Sequence, residues 1–420
     1  MNPFLPAARL APPPRAPFAY DLPLEGLRGI CALLVLYAHV FAPVRWLDPG
    51  FAPSPHFYLL EMGTGAVLMF FVLSGYVIGL TTREPAGGPA IGRYLGRRAS
   101  RLVPINTAAV LLCWLLVPAL PAFVVFGNLL FLQNDLPYGF GWTVPIIGND
   151  RSLWSLNYEA VYYVAFIAVW LVRPRSGTLI LLVFAAAVAG IFVPWCPQIL
   201  SRYACGALYW LGGLAIAWQT APASSPGRRG NWPSALLALM GTWRLAGLKE
   251  LLALIRVNGL WAVPASPHRL DMLPVCIWVL LAVTGRAPRW HRPLALLCLG
   301  WATTVALGAW ALRLPDDLEY RVFGAALILL AWILVAWTPE PRALARLARV
   351  GTVSYAVYAI GLPLQWELSA AAWLPAGSAA SFLVRASLLL LLVFSLSWVL
   401  ERRLQPIVRR WLKRPTPAGA

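Results

Sequence analysis

Apolar stretches recur along the whole chain, and short basic, polar or proline-rich segments separate them. Most stretches approach the roughly 20 residues that an α-helix needs to cross the hydrocarbon layer of a bilayer. The pattern predicts an all-α, polytopic integral membrane protein with about 10–12 transmembrane helices and both termini in the cytoplasm. The expected spans are about 27–44, 62–82, 102–119, 154–172, 177–194, 199–218, 270–285, 293–312, 319–338, 350–370 and 380–400.

Basic segments set the expected orientation of these spans. The segment 83–101 carries five arginines and is expected to be a cytoplasmic loop, because Lys and Arg concentrate on the inner side. The loop 45–61 then faces outward, and 121–153 is an outer loop with an interfacial or re-entrant helix near Asn128. The stretch 234–262 leaves two interpretations open. Its charges favour an amphipathic surface helix, whereas the orientation of the later spans requires a further crossing.

Composition supports a membrane domain and leaves no room for a sizeable soluble one. Hydrophobic residues make up 60% of the 420 and charged residues 12%, whereas a soluble domain carries roughly 25% charged residues. The expected organisation is a disordered cytoplasmic tail over 1–23, a membrane domain over 24–405 and a basic cytoplasmic tail over 406–420. The net charge of +18 indicates cytoplasmic loops beside a lipid bilayer and not a nucleic-acid partner.

The candidate chemistry begins in the first apolar stretch, residues 24–41. This stretch is mostly apolar but carries Glu25, Arg28 and His39. Glu25 and Arg28 are three positions apart and share a helix face. His39 lies eleven positions after Arg28, which is about 16 Å along the axis of the same helix. An ionisable side chain this deep in an apolar helix is costly, and it indicates a functional site.

A basic set near the start of the third span could hold phosphate groups. Arg97, Arg98 and Arg101 form an R-R-x-x-R pattern, and Arg98 and Arg101 share one face of a helical turn. Guanidinium groups bind phosphate in a bidentate way, as the cytoplasmic mouth of a nucleotide-bearing donor site requires. Charge that only fixes the topology is the alternative.

A carboxylate near the start of another span adds a second candidate. The segment 154–163, WSLNYEAVYY, places Glu159 among tyrosines. A carboxylate at this depth must be paired, neutral or exposed to a wet cavity. Three roles are open for it: orienting His39, binding a hydroxyl acceptor, or forming a structural ion pair with an arginine. No metal-ligand pair, P-loop, dinucleotide fingerprint or serine nucleophile elbow appears in the chain.

The segment FFVLSGY, residues 70–76, closes the second span. By itself it indicates close helix packing at Ser74 and Gly75, because small residues let helix backbones approach. Taken in order with the other segments, it completes a set that resembles the acyltransferase 3 family of integral-membrane O-acyltransferases. The set consists of the L-[DE]-G-L-R-G block with Arg28 and His39 at the family spacing, FFVLSGY, R-x-x-R at Arg98 and Arg101, and W-S-L-x-x-E-x-x-[FY]-Y with Glu159.

Two later segments extend the resemblance, which spans roughly 24–410 and is thin between 220 and 345. SYAVYAIGLPL resembles the family segment SYxxYLxHxP, and Ser397, Glu401 and Pro406 resemble its closing S-x-x-x-E-x-P pattern. One departure concerns chemistry: Gly361 stands where the family segment has histidine. Any role tied to that histidine is absent here or is supplied by another residue.

The resemblance implies transfer of an acyl group, commonly acetyl, from cytoplasmic acyl-coenzyme A to a hydroxyl of a cell-surface or lipid-linked glycan, such as polysaccharide or lipopolysaccharide. The donor is then a co-substrate and no cofactor is bound, and the expected location is the bacterial cytoplasmic (inner) membrane. The implied site residues are His39 and Glu159 for catalysis, Glu25, Arg28, Arg98 and Arg101 for the donor, and Trp154, Ser155 and Tyr163 for the acceptor. His39 could act as a general base or carry the acyl group covalently.

Two other classes of protein fit parts of the pattern. A transporter or flippase for an anionic or lipid-linked solute would use buried Arg28, His39 and Glu159 as a substrate pathway or proton relay. The chain does not repeat a pair of interrupted helices between its halves, which is the usual sign of transporters. A non-catalytic membrane scaffold would leave buried His39 and Glu159 without a purpose.

Overall fold

The computed structural model describes residues 21–41, 47–117, 120–134, 143–148, 150–193, 196–220, 230–247, 269–311 and 318–412. The expected tails lie outside these residues over 1–20 and 413–420. The second part of the stretch 234–262, from residue 248 onward, also lies outside them.

Helices make up most of the described chain. The α-helices are α1 (Leu22–Phe41), α2 (Gly63–Thr81), α3 (Gly88–Leu116), α4 (Ala122–Leu129), α5 (Trp154–Val172), α6 (Ser176–Phe192), α7 (Gln198–Gln219), α8 (Trp232–Leu245), α9 (Met272–Thr284), α10 (Pro288–Ala311), α11 (Leu318–Ile333), α12 (Arg342–Arg346), α13 (Ala348–Gly351), α14 (Ser354–Ala370), α15 (Ala379–Val399) and α16 (Gln405–Leu412). Short 3₁₀ turns cover Pro55–Leu60 and Arg151–Leu153, and a π turn, Leu400–Leu404, joins α15 to α16. Two short strands, β1 (Gln133–Asn134) and β2 (Val144–Pro145), pair in parallel.

Six helical segments of the described residues are long and apolar enough to cross a membrane. These segments are Leu22–Phe41, Pro55–Thr81, Gly88–Leu116, Arg151–Val172, Ile199–Gln219 and Ala379–Trp411. Shorter apolar helices cover Ser176–Ala189 and Met272–Thr284. The predicted class, an all-α polytopic membrane protein, is confirmed. The total number of crossings and the side on which each terminus lies stay predictions.

The helix α3 begins earlier than the sequence pattern predicted. A loop was expected over 83–101, but α3 begins at Gly88 and carries the later arginines of this segment as helical residues. Tyr94 and Arg98 are buried on the inner face of the helix. Burial of this face stabilises the helical form of a segment whose charges alone suggested a loop.

The first half of α1 is held by direct backbone contact. A Cβ atom on Gly351, at the end of α13, would lie 1.8 Å from the carbonyl oxygen of Glu25. Only glycine permits this approach, because any other residue would place a carbon atom inside the oxygen's radius. Leu24 and Leu27 on the same helix are fully buried. The contact therefore fixes the part of α1 that carries Glu25 and Arg28.

The helices α2 and α7 make the close contact that FFVLSGY predicted. A Cβ atom on Gly75 would lie 1.9 Å from the carbonyl oxygen of Trp210, so the two backbones touch at this point. In lipid the hydrophobic effect does not drive helices together. Small residues instead let membrane helices approach closely and gain van der Waals contact. The neighbouring Ser74 is thereby held at a fixed depth in the bundle.

The helix α8 lies within the bundle beside α11. At its start, Trp232 donates a hydrogen bond from Nε1 to the carbonyl of Pro339, which follows α11. Near its end, Trp243 donates from Nε1 to the carbonyl of Glu61, which precedes α2. Ala235 is fully buried between these points. Residues 232–245 therefore pack within the bundle, and whether the stretch 234–262 crosses the membrane stays a prediction.

The segment 121–153, predicted to be an outer loop, contains the short helix that was predicted near Asn128, now observed as α4. The buried Asn128 side chain donates to the carbonyls of Val124 (2.8 Å) and Pro145 (2.9 Å) and accepts from the N–H of Ile147 (3.0 Å). Irregular backbone at membrane depth is tolerated only where protein groups satisfy it. The paired strands β1 and β2 were not predicted, because two-residue strands leave no readable period.

The loop after α1 is tied to the start of α15. The carboxylate of Asp48 accepts hydrogen bonds from the N–H groups of Gly50 and Gly377, both at 2.9 Å, and from the hydroxyl of Ser381. Burial acts to raise the pKa of the Asp48 carboxyl, but these hydrogen bonds outweigh it and hold the pKa below its ordinary value. The ionised carboxylate therefore anchors this loop.

Candidate functional site

A narrow cavity lies between α1, α2, α3, α5 and α14. Six residues that the sequence marked as candidates line it: Arg28, Arg98, Arg101, Ser155, Glu159 and Tyr163. The other three candidates, Glu25, Trp154 and His39, are not among its lining residues. Apolar side chains of α2, including Val67, Phe70 and Leu73, supply much of its wall. The cavity combines cations with a narrow apolar surface.

Arginines converge on one part of the cavity, and Arg28, Arg98 and Arg101 together are called the arginine end. Arg98 is only 8% exposed and donates to the hydroxyl of Thr81 at 3.0 Å. Its guanidinium carbon lies 5.4 Å from the centre of the Tyr163 ring, and that of Arg101 lies 5.8 Å from the Tyr355 ring. Stacking on aromatic faces holds a guanidinium group without using all its hydrogen-bond donors.

Two polar atoms in the cavity wall are buried without a hydrogen-bond partner within the described residues. They are Nε of Arg98 and the hydroxyl oxygen of Tyr355. Buried polar groups are normally paired, so each unpaired group needs an explanation. Both groups lie beside positive charge, and an anionic ligand in the cavity would supply the acceptor atoms. This is the clearest sign of binding in the structure.

Glu25 and Arg28 share a helix face, as their spacing predicted, and form an ion pair. Nη1 of Arg28 lies 3.1 Å from Oε1 of Glu25, across one turn of α1. Arg28 lines the cavity, whereas Glu25 lies behind it. The ion pair therefore holds Arg28 at the cavity wall, and Glu25 acts on the site through Arg28.

Glu159 faces the cavity and is held by two hydroxyl groups. Ser74 donates to Oε1 of Glu159 at 3.0 Å, and the Tyr163 hydroxyl donates to the same oxygen. The hydroxyl of Tyr94 donates at 3.0 Å to the carbonyl of Tyr163, which links this cluster to α3. The observed partners of Glu159 are thus hydroxyl groups, and the three roles considered for it stay predictions.

Hydrogen-bonded side chains from α5 and α14 form another part of the cavity wall. Oγ of Ser155 lies 2.6 Å from the hydroxyl of Tyr358, which also donates to the carbonyl of Ser152. The ring of Phe70 lies 6.4 Å from that of Tyr358 in an edge-on arrangement. Trp154 packs edge-on against Tyr158, 5.1 Å between ring centres, and so supports the wall from behind.

His39 does not line the cavity and lies near the end of α1. We call His39 and its neighbour Gly361 the histidine end. Its Nδ1 atom is buried and has no hydrogen-bond partner among the described residues. A Cβ atom on Gly361 of α14 would lie 3.4 Å from that Nδ1. Gly361 follows Tyr358 by one helical turn, or about 4.5 Å, so His39 is close to the cavity without lining it.

Sequence reasoning missed several lining residues of α14. Ser354, Tyr355 and Tyr358 all face the cavity. A readable signal existed, since two tyrosines three positions apart share a helix face. The start of α14 is held by Glu401 on the π turn, whose carboxylate accepts from the N–H of Ala356 at 2.8 Å. Negative charge at a helix N-terminus is favourable, so Glu401 positions this group of residues.

The fold and the cavity define a multi-pass helical membrane protein with a buried, positively charged site. The family model for the acyltransferase domain, Acyl_transf_3, matches residues 22–402. The chain therefore belongs to the acyltransferase 3 family, as the resemblance indicated. Acyltransferase MdmB of Streptomyces mycarofaciens is 26% identical over 152 residues, which cover 34% of this chain and 37% of that relative. No solved structure matches the chain.

Proposed function

We propose that this protein is a membrane O-acyltransferase of the bacterial cytoplasmic membrane. It moves an acyl group, commonly acetyl, from cytoplasmic acyl-coenzyme A to a hydroxyl of a cell-surface or lipid-linked glycan. Membership of the acyltransferase 3 family supports the class of reaction. The observation that carries the proposal is the arginine end of the cavity, where buried donor groups of Arg98 and Tyr355 lack a partner within the described residues.

The donor binds through its phosphates at the arginine end. Guanidinium groups offer several N–H donors in a fixed plane, and charge-assisted hydrogen bonds to phosphate are stronger than neutral ones. The apolar wall of Val67, Phe70 and Leu73 then suits the uncharged arm that carries the thioester. This arm directs the acyl group away from the arginines and toward Tyr358.

The acyl group must pass the wall formed by Tyr358, Phe70 and Ser155 to reach His39. The hydroxyl pair and the edge-on rings there are held by side-chain contacts, which rearrange more easily than helix backbones. His39 then takes the proton of the acceptor hydroxyl as its oxygen attacks the thioester carbon. The carbon–sulfur bond breaks, a carbon–oxygen bond forms, and the proton passes to the sulfur of coenzyme A.

The transfer assay uses the purified full chain in nanodiscs with radiolabelled acetyl-coenzyme A. The acceptors are a panel of methyl glycosides and lipid-linked glycans, and empty nanodiscs are the control. Label in a glycan only when the protein is present is the expected result. Movement of a solute without modification would indicate the transporter class, and absence of label from every acceptor would contradict the proposed function.

A rapid-quench experiment separates the two routes that His39 could take. Direct transfer leaves no label on the protein, whereas a covalent route accumulates labelled protein before the acceptor is added. We expect no labelled protein in the direct route, in which His39 acts as a general base. Label on a peptide containing His39 that hydroxylamine or alkali releases would indicate the covalent route instead, because an acyl-imidazole is a reactive acyl donor.

A further inference from the structure

The cavity has its cations at one end and apolar side chains at the other. Arg98 belongs to the cationic end and donates to the hydroxyl of Thr81, the last residue of α2. Val67 is the lining residue of α2 farthest from Thr81, about 21 Å away along the helix axis. Three buried lining residues, which we call the apolar end, lie in this far part of the cavity: Val67, Phe71 and Leu156.

A close contact between α1 and α2 ends the cavity just beyond Val67. Gly63 lies one turn before Val67, on the same face of α2. A Cβ atom on Gly63 would lie 2.9 Å from the Cβ atom of Ala38 on α1, so no side chain fits between the two helices there. Within the described part of α2, no residue before Val67 lines the cavity. Val67 is therefore the last side chain that a ligand entering from the arginine end would meet on α2.

Aromatic packing holds the apolar end from behind. The ring of Phe71 stacks on that of Tyr158, with 6.2 Å between ring centres, and lies edge-on to that of Tyr162 at 5.6 Å. The Tyr162 hydroxyl donates to the carbonyl of Tyr203 on α7 at 2.9 Å. Closely packed interiors have low compressibility, so a change of one methylene in volume is felt. The apolar end therefore has a fixed size.

The chemistry of the apolar end suits a hydrocarbon group. The side chains of Val67, Phe71 and Leu156 carry no polar atom, and burying apolar surface against them is favourable. The hydroxyl groups of Ser155 and Tyr358, which also line the cavity, lie 2.6 Å apart and bond to each other. A polar group placed against the three apolar side chains would lose its hydrogen bonds to water without replacement.

We infer that the apolar end binds the acyl chain of the donor, and that Val67 limits the length of this chain. The inference rests on the proposed function and adds the residue that selects the acyl group. The phosphates of the donor bind at the arginine end, and the acyl chain is at the opposite end of the donor molecule. It therefore lies farthest from the arginines, beside the wall of Phe70 and Tyr358 that it passes before transfer.

The test measures binding of S-alkyl-coenzyme A thioethers whose chains grow from ethyl to hexyl. A thioether cannot transfer its chain, so binding is measured without an acceptor and without turnover. The full chain in nanodiscs is titrated with each thioether, and empty nanodiscs correct for partition of the chain into lipid. The wild-type protein should bind chains up to a limiting length. One further methylene should then weaken binding about tenfold or more, because a closed apolar pocket has no room for it.

Val67→Ala should move this limit to a longer chain by about one or two carbons, because it removes two methyl groups from the closed end. Val77→Ala is the matched control. It makes the same substitution in a lining residue of the same helix, about 15 Å nearer the arginine end. It should leave the limiting length unchanged, whatever it does to the overall affinity. Thermal unfolding shows whether both variants fold.

Val67→Ile tests the same residue in the opposite direction and keeps the inference testable if Val67→Ala does not fold. It adds a single methylene to the closed end. Affinity for the longest chain that the wild-type protein binds should fall about tenfold, whereas affinity for coenzyme A itself should not change. Unchanged affinity for that chain in folded Val67→Ile protein would overturn the inference, as would an unchanged limit in folded Val67→Ala protein.

The wild-type titrations separate this inference from the proposed function. If coenzyme A binds, and Arg98→Gln weakens its binding, but affinity does not depend on chain length from ethyl to hexyl, only the role of Val67 is wrong. If no coenzyme A derivative binds to the wild-type protein, the proposed donor site is wrong, and the inference is overturned with it.

Discussion

The two ends of α1 are built in opposite ways. At the arginine end neighbours hold the cations in place, although Nε of Arg98 has no partner within the described residues: Arg28 pairs with Glu25, and Arg98 bonds Thr81 and stacks on Tyr163. At the histidine end Nδ1 of His39 has no partner within the described residues. A cluster organised in advance binds its ligand at little entropic cost. An unpaired base instead needs the substrate to complete it, as a reacting group does.

The largest expected effect is at the histidine end. His39→Ala should lower acyl transfer by roughly 100- to 10,000-fold, because general-base catalysis contributes that much. Coenzyme A binding should not change, since His39 does not line the cavity. The labelled transfer assay and a binding titration measure the two quantities.

His56→Ala is the control for this change, because His56 is exposed and pairs with Glu319. It should keep wild-type transfer. Full activity of folded His39→Ala protein would remove His39 from the mechanism.

The second-largest effect is expected from substitutions at the arginine end. Arg98→Gln and Arg101→Gln should each weaken coenzyme A binding by about tenfold or more, as charge-assisted hydrogen bonds to phosphate are lost. Arg93→Gln on the same helix is the matched control, because Arg93 is exposed and pairs with Glu84 at 2.7 Å. Equilibrium binding of labelled coenzyme A measures the loss. Equal affinities in all three variants would dismiss the phosphate role.

Glu159→Gln is expected to have a smaller effect, with acyl transfer and anion binding changing in opposite directions. The glutamine keeps the shape and can still accept from Ser74, but it removes a negative charge from the cavity. Transfer should fall about tenfold, whereas anion binding should tighten modestly because a like charge is gone. Steady-state kinetics and coenzyme A titration separate these outcomes. Weaker coenzyme A binding in this variant would mean that Glu159 supports the arginines structurally.

Asp48→Ala is expected to have the smallest effect on the arginine end and on the histidine end. It should cost about 1–3 kcal/mol of stability, because the N–H groups of Gly50 and Gly377 and the buried hydroxyl of Ser381 lose their acceptor. The pKa of Asp48 is lowered in the fold, so its contribution is present above the ordinary value of about 4 and is lost as pH falls through the folded value. Thermal unfolding of wild type and variant should therefore converge below about pH 4. A gap that persists in acid would refute the charged anchor.

Sequence patterns predicted the class of fold and the composition of the arginine end. The length of the apolar segments alone indicates membrane helices, because a helix satisfies the hydrogen bonds of its backbone within one segment inside a bilayer. The spacing of Glu25 and Arg28 predicted that they share a helix face, where they form an ion pair, because residues three apart on a helix are neighbours. Both inferences use only contacts within one helix or the length of a segment.

Rules that use one helix or the length of one segment do not predict the contacts between helices. The burial of Tyr94 and Arg98 extended α3 into a segment whose charges suggested a loop. Tyr355 and Tyr358 line the cavity because α14 packs beside α1 and α5. Such placements depend on helix rotation, which periodicity gives only weakly when apolar residues surround the whole helix.

The sequence by itself determined a basic, all-helical membrane protein with His39 near one end of its first helix. Only the tertiary structure decided that His39 lies outside the cavity lined by Arg98 and Glu159, and that Gly361 is its neighbour. The physical reason is that depth along a helix follows from counting residues, at about 1.5 Å for each. Which residues of other helices share that depth is set by packing between segments far apart in the chain.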